Sequence, residues 1–196
     1  MFKKSIALLL SSFLLTSCYQ MRQGRVDNND EMKLSSELYS TDCITEAEVV
    51  AAQQEWGEGI VRIGQVYSSG GDYKAAAAEH IQELYAYDLS SVLFKPTLAS
   101  EDQFRETFDS ALSYFVGGNP TYKEDKGFAI APYTNVRWEN SGIVNNVCNM
   151  AVAMGNYYFT KTDGDELKVE YTLGYVKDAD DKLRIVVHKS AMPYQP

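Results

Sequence analysis

Helical and extended patterns are almost fully segregated along this chain, and the change falls at Gly117-Gly118. Before it, Thr45-Glu46-Ala47-Glu48 reads as a capping box. The threonine hydroxyl takes the N–H of Glu48, whose carboxylate reaches back. Val49, Trp56, Ile60, Ile63 and Tyr67 then recur every three or four residues as one apolar stripe, and Gly70-Gly71 ends the helix. Asp72 caps a second helix through Ala75 to Tyr87, and a third is predicted from Glu101 to Phe115. Only Ser91 to Lys95, closed by Pro96, breaks the division as a short strand. After the glycine pair everything reads as strand, at roughly 128–131, 134–139, 147–159, 166–177 and 183–191. Asp163-Gly164 and Asp178 to Asp181 supply hairpin turns. Helices first and antiparallel strands after them predict an α+β fold, with the helices on one face of the sheet.

The strand at 147–159 adds a constraint. Val147, Ala151, Ala153 and Tyr157 are expected on one face, and Met150, Val152, Met154 and Tyr158 on the other. Both faces are apolar, so both should be covered, and three helices can cover only one. A second copy on the other face is the economical solution, so a homodimer is expected. A pocket enclosed between sheet and helices is expected as well.

The N-terminus carries an export signal. Lys3 and Lys4 precede an apolar run from Ile6 to Leu15 that is too short to cross a bilayer of about 30 Å. It ends in Leu15-Thr16-Ser17-Cys18, which resembles the bacterial lipobox, with Cys18 as the lipid attachment site. Residues 1–17 are thus read as a signal peptide, 18–41 as the lipidated cysteine and a polar tether, and 42–196 as one globular domain. Tyr19 after the cysteine resembles the default sorting to an outer membrane, facing the periplasm. Acyl chains contribute about 0.8 kcal/mol per buried CH₂, so two or three hold a small domain on a membrane. Removing residues 1–17 shifts the formal charge from −9 to −11. So acidic a chain is repelled by phosphate backbones, and nucleic acid is not an expected partner. Cys43, just before the first helix, and Cys148, at the start of a strand, either pair as a disulfide in an oxidising compartment or stay as separate thiols.

Several chemistries lack their residues. A catalytic zinc takes three protein ligands, mostly His or Cys. This chain has two histidines, His80 and His188, and no CxxC, HxH or HExxH. There is no GxSxG, phosphate loop or dinucleotide fingerprint. No cofactor is predicted, with a divalent metal such as Mn or Zn left open. His80, on an alanine-rich helix, reads as a core or dimer-facing histidine. In His188-Lys189-Ser190, strand alternation puts imidazole and hydroxyl on one face and the lysine on the other.

Six blocks carry a resemblance. Val92-Leu93-Phe94-Lys95-Pro96-Thr97, Gln103-Phe104-Arg105 and Ser113-Tyr114-Phe115-Val116-Gly117-Gly118 are similar to segments of the iota-class carbonic anhydrases. So are Glu124 to Ile130, Ala153 to Thr160, and Lys168-Val169-Glu170-Tyr171-Thr172. They run in order from about residue 46 to 194. The resemblance implies an NTF2-like cone, like the calcium/calmodulin-dependent kinase association domain, and supports the dimer. It implies carbon dioxide and bicarbonate as substrates, in some members without metal, held by a Thr, a Tyr, a His and a Ser. Those map to Thr97, Tyr114, His188 and Ser190. The family's terminal His-His-Ser-Ser-x-Pro stands here as His188-Lys189-Ser190-Ala191-Met192-Pro193, so the second His and second Ser are replaced. If the first pair is functional the site is complete; if the second, it is lost.

The mechanism implied has Tyr114, Thr97 and Ser190 holding a water against carbon dioxide. His188, with a pKa near its ordinary value of about 6.5, takes the proton. The alternative is a non-catalytic NTF2-like module for small-ligand binding or oligomerisation. Arg105, Arg137 and Lys95 are each expected to pair with a carboxylate.

Overall fold

The computed structural model describes residues 38–196. Cys18, the signal segment and most of the tether lie outside the described residues. Backbone contact with the sheet begins at Tyr39, which bridges Asp178, and Ser40, whose N–H reaches the Lys177 carbonyl at 3.1 Å.

Helix α1 spans Glu46–Ser68 and starts with the expected capping box: Glu48 N donates to Thr45 Oγ1 at 3.2 Å and Thr45 N to Glu48 Oε2 at 2.7 Å. Its buried stripe is Val49, Gln53, Trp56, Ile60 and Ile63. Tyr67, expected on that stripe, is 45 % exposed and packs edge-on against Tyr73. Helix α2, Tyr73–Leu84, is capped by Asp72. It stops three residues before Tyr87 because Tyr85 turns to extended backbone, where it bridges Ile185.

Strand β1 is Leu93–Lys95. Helix α3 is Phe108–Val116, capped by Thr107, and does not begin at Glu101 as expected. The N–H groups of Ser100, Glu101 and Asp102 are taken by the Glu124 carboxylate, which holds this stretch as a loop. Gly117 ends the helix at φ 68°. The strand expected at 128–131 is instead a 3-10 turn, Phe128–Ile130, entered from left-handed Gly127.

Strands β2 (Asn135–Val147), β3 (Met150–Thr160), β4 (Glu166–Lys177) and β5 (Leu183–Ala191) complete one sheet in the order β1-β5-β4-β3-β2. Among these five strands the β1–β5 pairing is parallel and the other three are antiparallel. β2 runs past 139 because a bulge between Asn140 and Gly142 absorbs its polar stretch. Val147 therefore belongs to β2 rather than to the following strand, and is exposed. Cys148 lies in the hairpin turn rather than at a strand start.

A disulfide joins Cys43 to Cys148, pinning the start of α1 to that hairpin, and Ile44 N donates to the Cys148 carbonyl at 2.7 Å. The helices cover one face of the sheet with an aromatic core. On the outer face Val152 and Met154 stand exposed, beside Val144 and Met150. The α+β class, with N-terminal helices on a mostly antiparallel sheet, is the one expected from the pattern along the chain. No described helix is long and apolar enough to cross a membrane.

Candidate functional site

Register builds the site. Parallel pairing sets Phe94 of β1 beside His188 of β5, and their rings stack with centroids 5.0 Å apart. Along β5 the parity is decisive: His188 is 2 % and Ser190 3 % exposed, while Lys189 is exposed on the opposite face. Ala191 shares the parity of Lys189. The two motif positions that differ from the family pattern thus lie away from the interior, and the retained pair faces it.

Pro96 closes β1, and the chain turns so that Thr97 Oγ1 donates to Ser190 Oγ at 2.9 Å. The Leu98 N–H then reaches the Tyr114 hydroxyl at 3.3 Å, tying α3 to the same turn. Arg105 anchors this loop. It is fully buried, donates to Asp125 Oδ1 at 2.7 Å, lies 3.4 Å from Glu124, and covers the Tyr122 ring. Arg137 pairs with Glu166 at 3.3 Å, as expected. Lys95 does not find a carboxylate; its ammonium donates to the Pro96 carbonyl at 2.9 Å.

Thr97, Tyr114, His188 and Ser190 line one cavity of about 50 Å³, walled by Phe94, Phe128, Phe159, Leu167 and Val169. That is room for about three water-sized molecules. A wider hollow of about 430 Å³ adjoins it and shares Leu98, Tyr114, Phe128 and Tyr133 with it. Another hollow, of about 650 Å³ between α1 and β2, is an open polar groove that holds none of the four.

Three side chains complete the site that sequence reasoning had not assigned to it. Tyr157 of β3 lies 3.5 Å from His188 Nε2 and lines the same cavity as Ser190 and Thr97. Tyr85 Oη lies 2.7 Å from His188 Nδ1 and accepts from Trp56 Nε1 at 3.0 Å. Trp56 also packs edge-on against His188, with centroids 5.5 Å apart. All three had only the signature of core aromatics.

Burial sets the electrostatics. It pulls His188 down to about 3, so the imidazole is neutral at physiological pH and not near 6.5 as expected. It pushes the Tyr114 phenol up to about 12, and raises Tyr157 also. His80 lies outside the cavity, packed on Gly59 and 5.7 Å from the Phe115 ring. Burial, then Arg62 and His188, pull it to about 3. Among the described residues no three His, Cys, Asp or Glu side chains are grouped to hold a metal ion. One imidazole among hydroxyls is also not the donor set of a zinc site.

A family profile described as metal-independent carbonic anhydrase matches residues 47–192. A metal-independent carbonic anhydrase from Nostoc sp. is 38% identical over 203 residues, spanning 100% of this chain and 98% of that protein. The crystal structure of a cyanobacterial iota-carbonic anhydrase complexed with bicarbonate superposes with a TM-score of 0.76 at 41% identity, covering 79% of this chain and 95% of that one. More distant is an NTF-2 like protein from Shewanella oneidensis, at a TM-score of 0.45 and 15% identity, covering 74% and 97%. Similarity along the whole domain thus accompanies an aromatic cavity that keeps the inward-facing half of the terminal motif, and the chain belongs to the metal-independent carbonic anhydrase family.

Proposed function

We infer that this protein catalyses the reversible hydration of carbon dioxide to bicarbonate. The observation that carries the reading is convergence: Thr97, Tyr114, His188 and Ser190, from three separate segments, meet in one apolar-walled cavity. The aromatic walls suit uncharged carbon dioxide, and the hydroxyls and imidazole suit the oxygens of bicarbonate. Attack forms a bond from the water oxygen to the carbon and moves an electron pair onto a substrate oxygen, while the water's proton leaves to solution. Fixed donors aimed at that oxygen stabilise the developing charge more than bulk water does. An imidazole held near 3 is a poor proton acceptor, so positioning and charge stabilisation dominate over general-base help. In a metal-independent site nothing lowers the water pKa from about 15.7 to about 7, so turnover stays far below that of a zinc enzyme.

The test is stopped-flow hydration and ¹⁸O exchange on the chelator-treated full chain. A rate above buffer that drops at least about tenfold in Ser190→Ala is expected, the loss of one well-placed hydrogen bond. A rate equal to buffer would leave the non-catalytic binding module. The replaced Lys189 and Ala191 are not among the residues that line the cavity.

We propose that the domain works from the cell envelope, lipid-anchored through Cys18 at an outer membrane and facing the periplasm. The lipobox-like quartet supports this, and the Cys43–Cys148 bridge suits an oxidising compartment. Palmitate labelling that persists in Cys18→Ser would refute it. We propose too that a second copy covers the outer sheet face. Val144, Val147, Met150, Val152 and Met154 form a contiguous exposed apolar patch of the kind that marks interfaces. Sedimentation should give a dimer that Met154→Lys weakens; a monomer at micromolar concentration would refute this proposal.

A further inference from the structure

The buried chain from Trp56 through Tyr85 to His188 has a direction fixed by chemistry. An indole N–H can only donate, so at 3.0 Å the Tyr85 oxygen is its acceptor. The same oxygen stands 2.7 Å from His188 Nδ1, a distance that allows two proton assignments. In the first, Tyr85 gives its single proton to Nδ1, so the indole N–H, the phenol and Nδ1 are all satisfied and Nε2 carries the remaining proton. In the second, an Nδ1–H donates to Tyr85, whose own proton then lies in aromatic surroundings. It makes no other hydrogen bond among the described residues. An unpaired buried donor is strongly disfavoured, which selects the first arrangement.

The phenol is held by packing: the Tyr85 ring is fully buried, with the rings of Tyr87, Phe94 and Phe115 at centroid distances of 6.0, 5.7 and 6.1 Å. The imidazole is equally fixed, with Phe94 stacked on it and Trp56 against its edge.

We propose that Trp56 and Tyr85 are positioning residues for carbon dioxide hydration: they hold His188 in the tautomer whose proton sits on Nε2, so that the imidazole offers the substrate a hydrogen-bond donor. On the Nε2 side lies Tyr157, 3.5 Å away, with the hydrogen-bonded pair Thr97 and Ser190 lining the same cavity. A bicarbonate oxygen in this cavity therefore meets N–H and O–H groups, and the attacking water finds no acceptor nitrogen. The purpose of the pair rests on the hydration reading; the tautomer does not.

The test reads the tautomer directly by long-range ¹⁵N–¹H correlation of the full chain labelled at histidine, without substrate. Only two imidazoles are present, and His80→Gln leaves one. The His188 proton is expected on Nε2 with Nδ1 bare; a proton on Nδ1 overturns the proposal, and needs no variant to do so. In Tyr85→Phe the proton should spread over both nitrogens, and kcat should fall about tenfold with KM little changed, the worth of one hydrogen bond. Loss of activity with the tautomer unmoved makes Tyr85 merely structural and overturns the proposal. Wild-type hydration at the buffer rate with the Nε2 proton in place overturns the catalytic purpose, and the two failures are told apart.

Discussion

Acid should weaken this protein before its carboxylates titrate, because both of its histidines are buried neutral. His80 and His188 are each 2 % exposed, and burial holds both near 3, against about 6.5 in an unfolded chain. The folded value is the depressed one. The stability is therefore fully present above pH 6.5 and lost as pH falls, since only the unfolded state gains the protons. Each histidine contributes a slope of about 1.4 kcal/mol per pH unit, so the pair approaches about 2.7. Integrated from pH 7 to 5, the loss is about 4 kcal/mol, a large share of the roughly 5–15 kcal/mol that holds a domain together. Glu48 and Glu124, both held down near 2 by the hydrogen bonds they accept, act in the same direction but later: their contribution is intact until unfolded carboxylates protonate near 4.5. Asp125, raised by burial, works with the other sign, because its folded form is the first to take a proton. The interval between pH 5 and 6.5 is thus left mainly to the histidines. Urea unfolding at half-unit steps should show the slope, and His80→Gln or His188→Gln should each halve it. Stability that stays flat from pH 7 to 5, or a slope indifferent to both substitutions, refutes the linkage.

Reducing the Cys43–Cys148 bridge, whose cysteines lie 105 positions apart, should cost about 4–5 kcal/mol in urea unfolding by loop-closure entropy. A loss below about 1 kcal/mol would mean that the reduced chain stays locally constrained. Restoring the family motif with Lys189→His and Ala191→Ser should leave the hydration rate within about twofold, as for changes on an outer face. A tenfold gain would place those positions in the chemistry. Gly59→Ala should destabilise by about 1–3 kcal/mol, since a Cβ there overlaps the His80 ring; unchanged urea unfolding would show that the ring moves aside freely.

What the sequence made legible was local. The capping box at Thr45, the Asp72 cap, and both ends of β4 and β5 fall where turn chemistry and two-residue alternation put them. The misreadings have distant causes. Residues 101–106 have helical composition, but the carboxylate that captures their N–H groups is Glu124. The apolar run at 128–131 suits a strand, until Gly127 enters it from a left-handed backbone. The polar run after Glu139 hides the rest of β2, because a bulge there is invisible to alternation. At the site, family resemblance supplied four identities, and parity told which half of the terminal motif looks inward. Trp56, Tyr85 and Tyr157 stayed hidden because each occupies a core position at ordinary spacing. Only tertiary packing, which spacing along the chain does not show, turns them into neighbours of one imidazole.

Acid sensitivity and the donor role of His188 then have a single origin. A histidine meant to accept a proton near neutral pH needs solvent or a carboxylate beside it. Here the imidazole has Phe94 on one side, Trp56 at its edge, and a phenol at each nitrogen. That enclosure leaves too little water around the ring to sustain a charge, and so depresses basicity. It also removes the alternative partners that would let the tautomer wander. An enclosed neutral imidazole can hold one proton in one direction, which is useful where negative charge appears on a substrate oxygen. Opening the cavity to raise its basicity would loosen the same aromatic contacts that fix its orientation. A gain in proton affinity at this site therefore carries a loss of positioning.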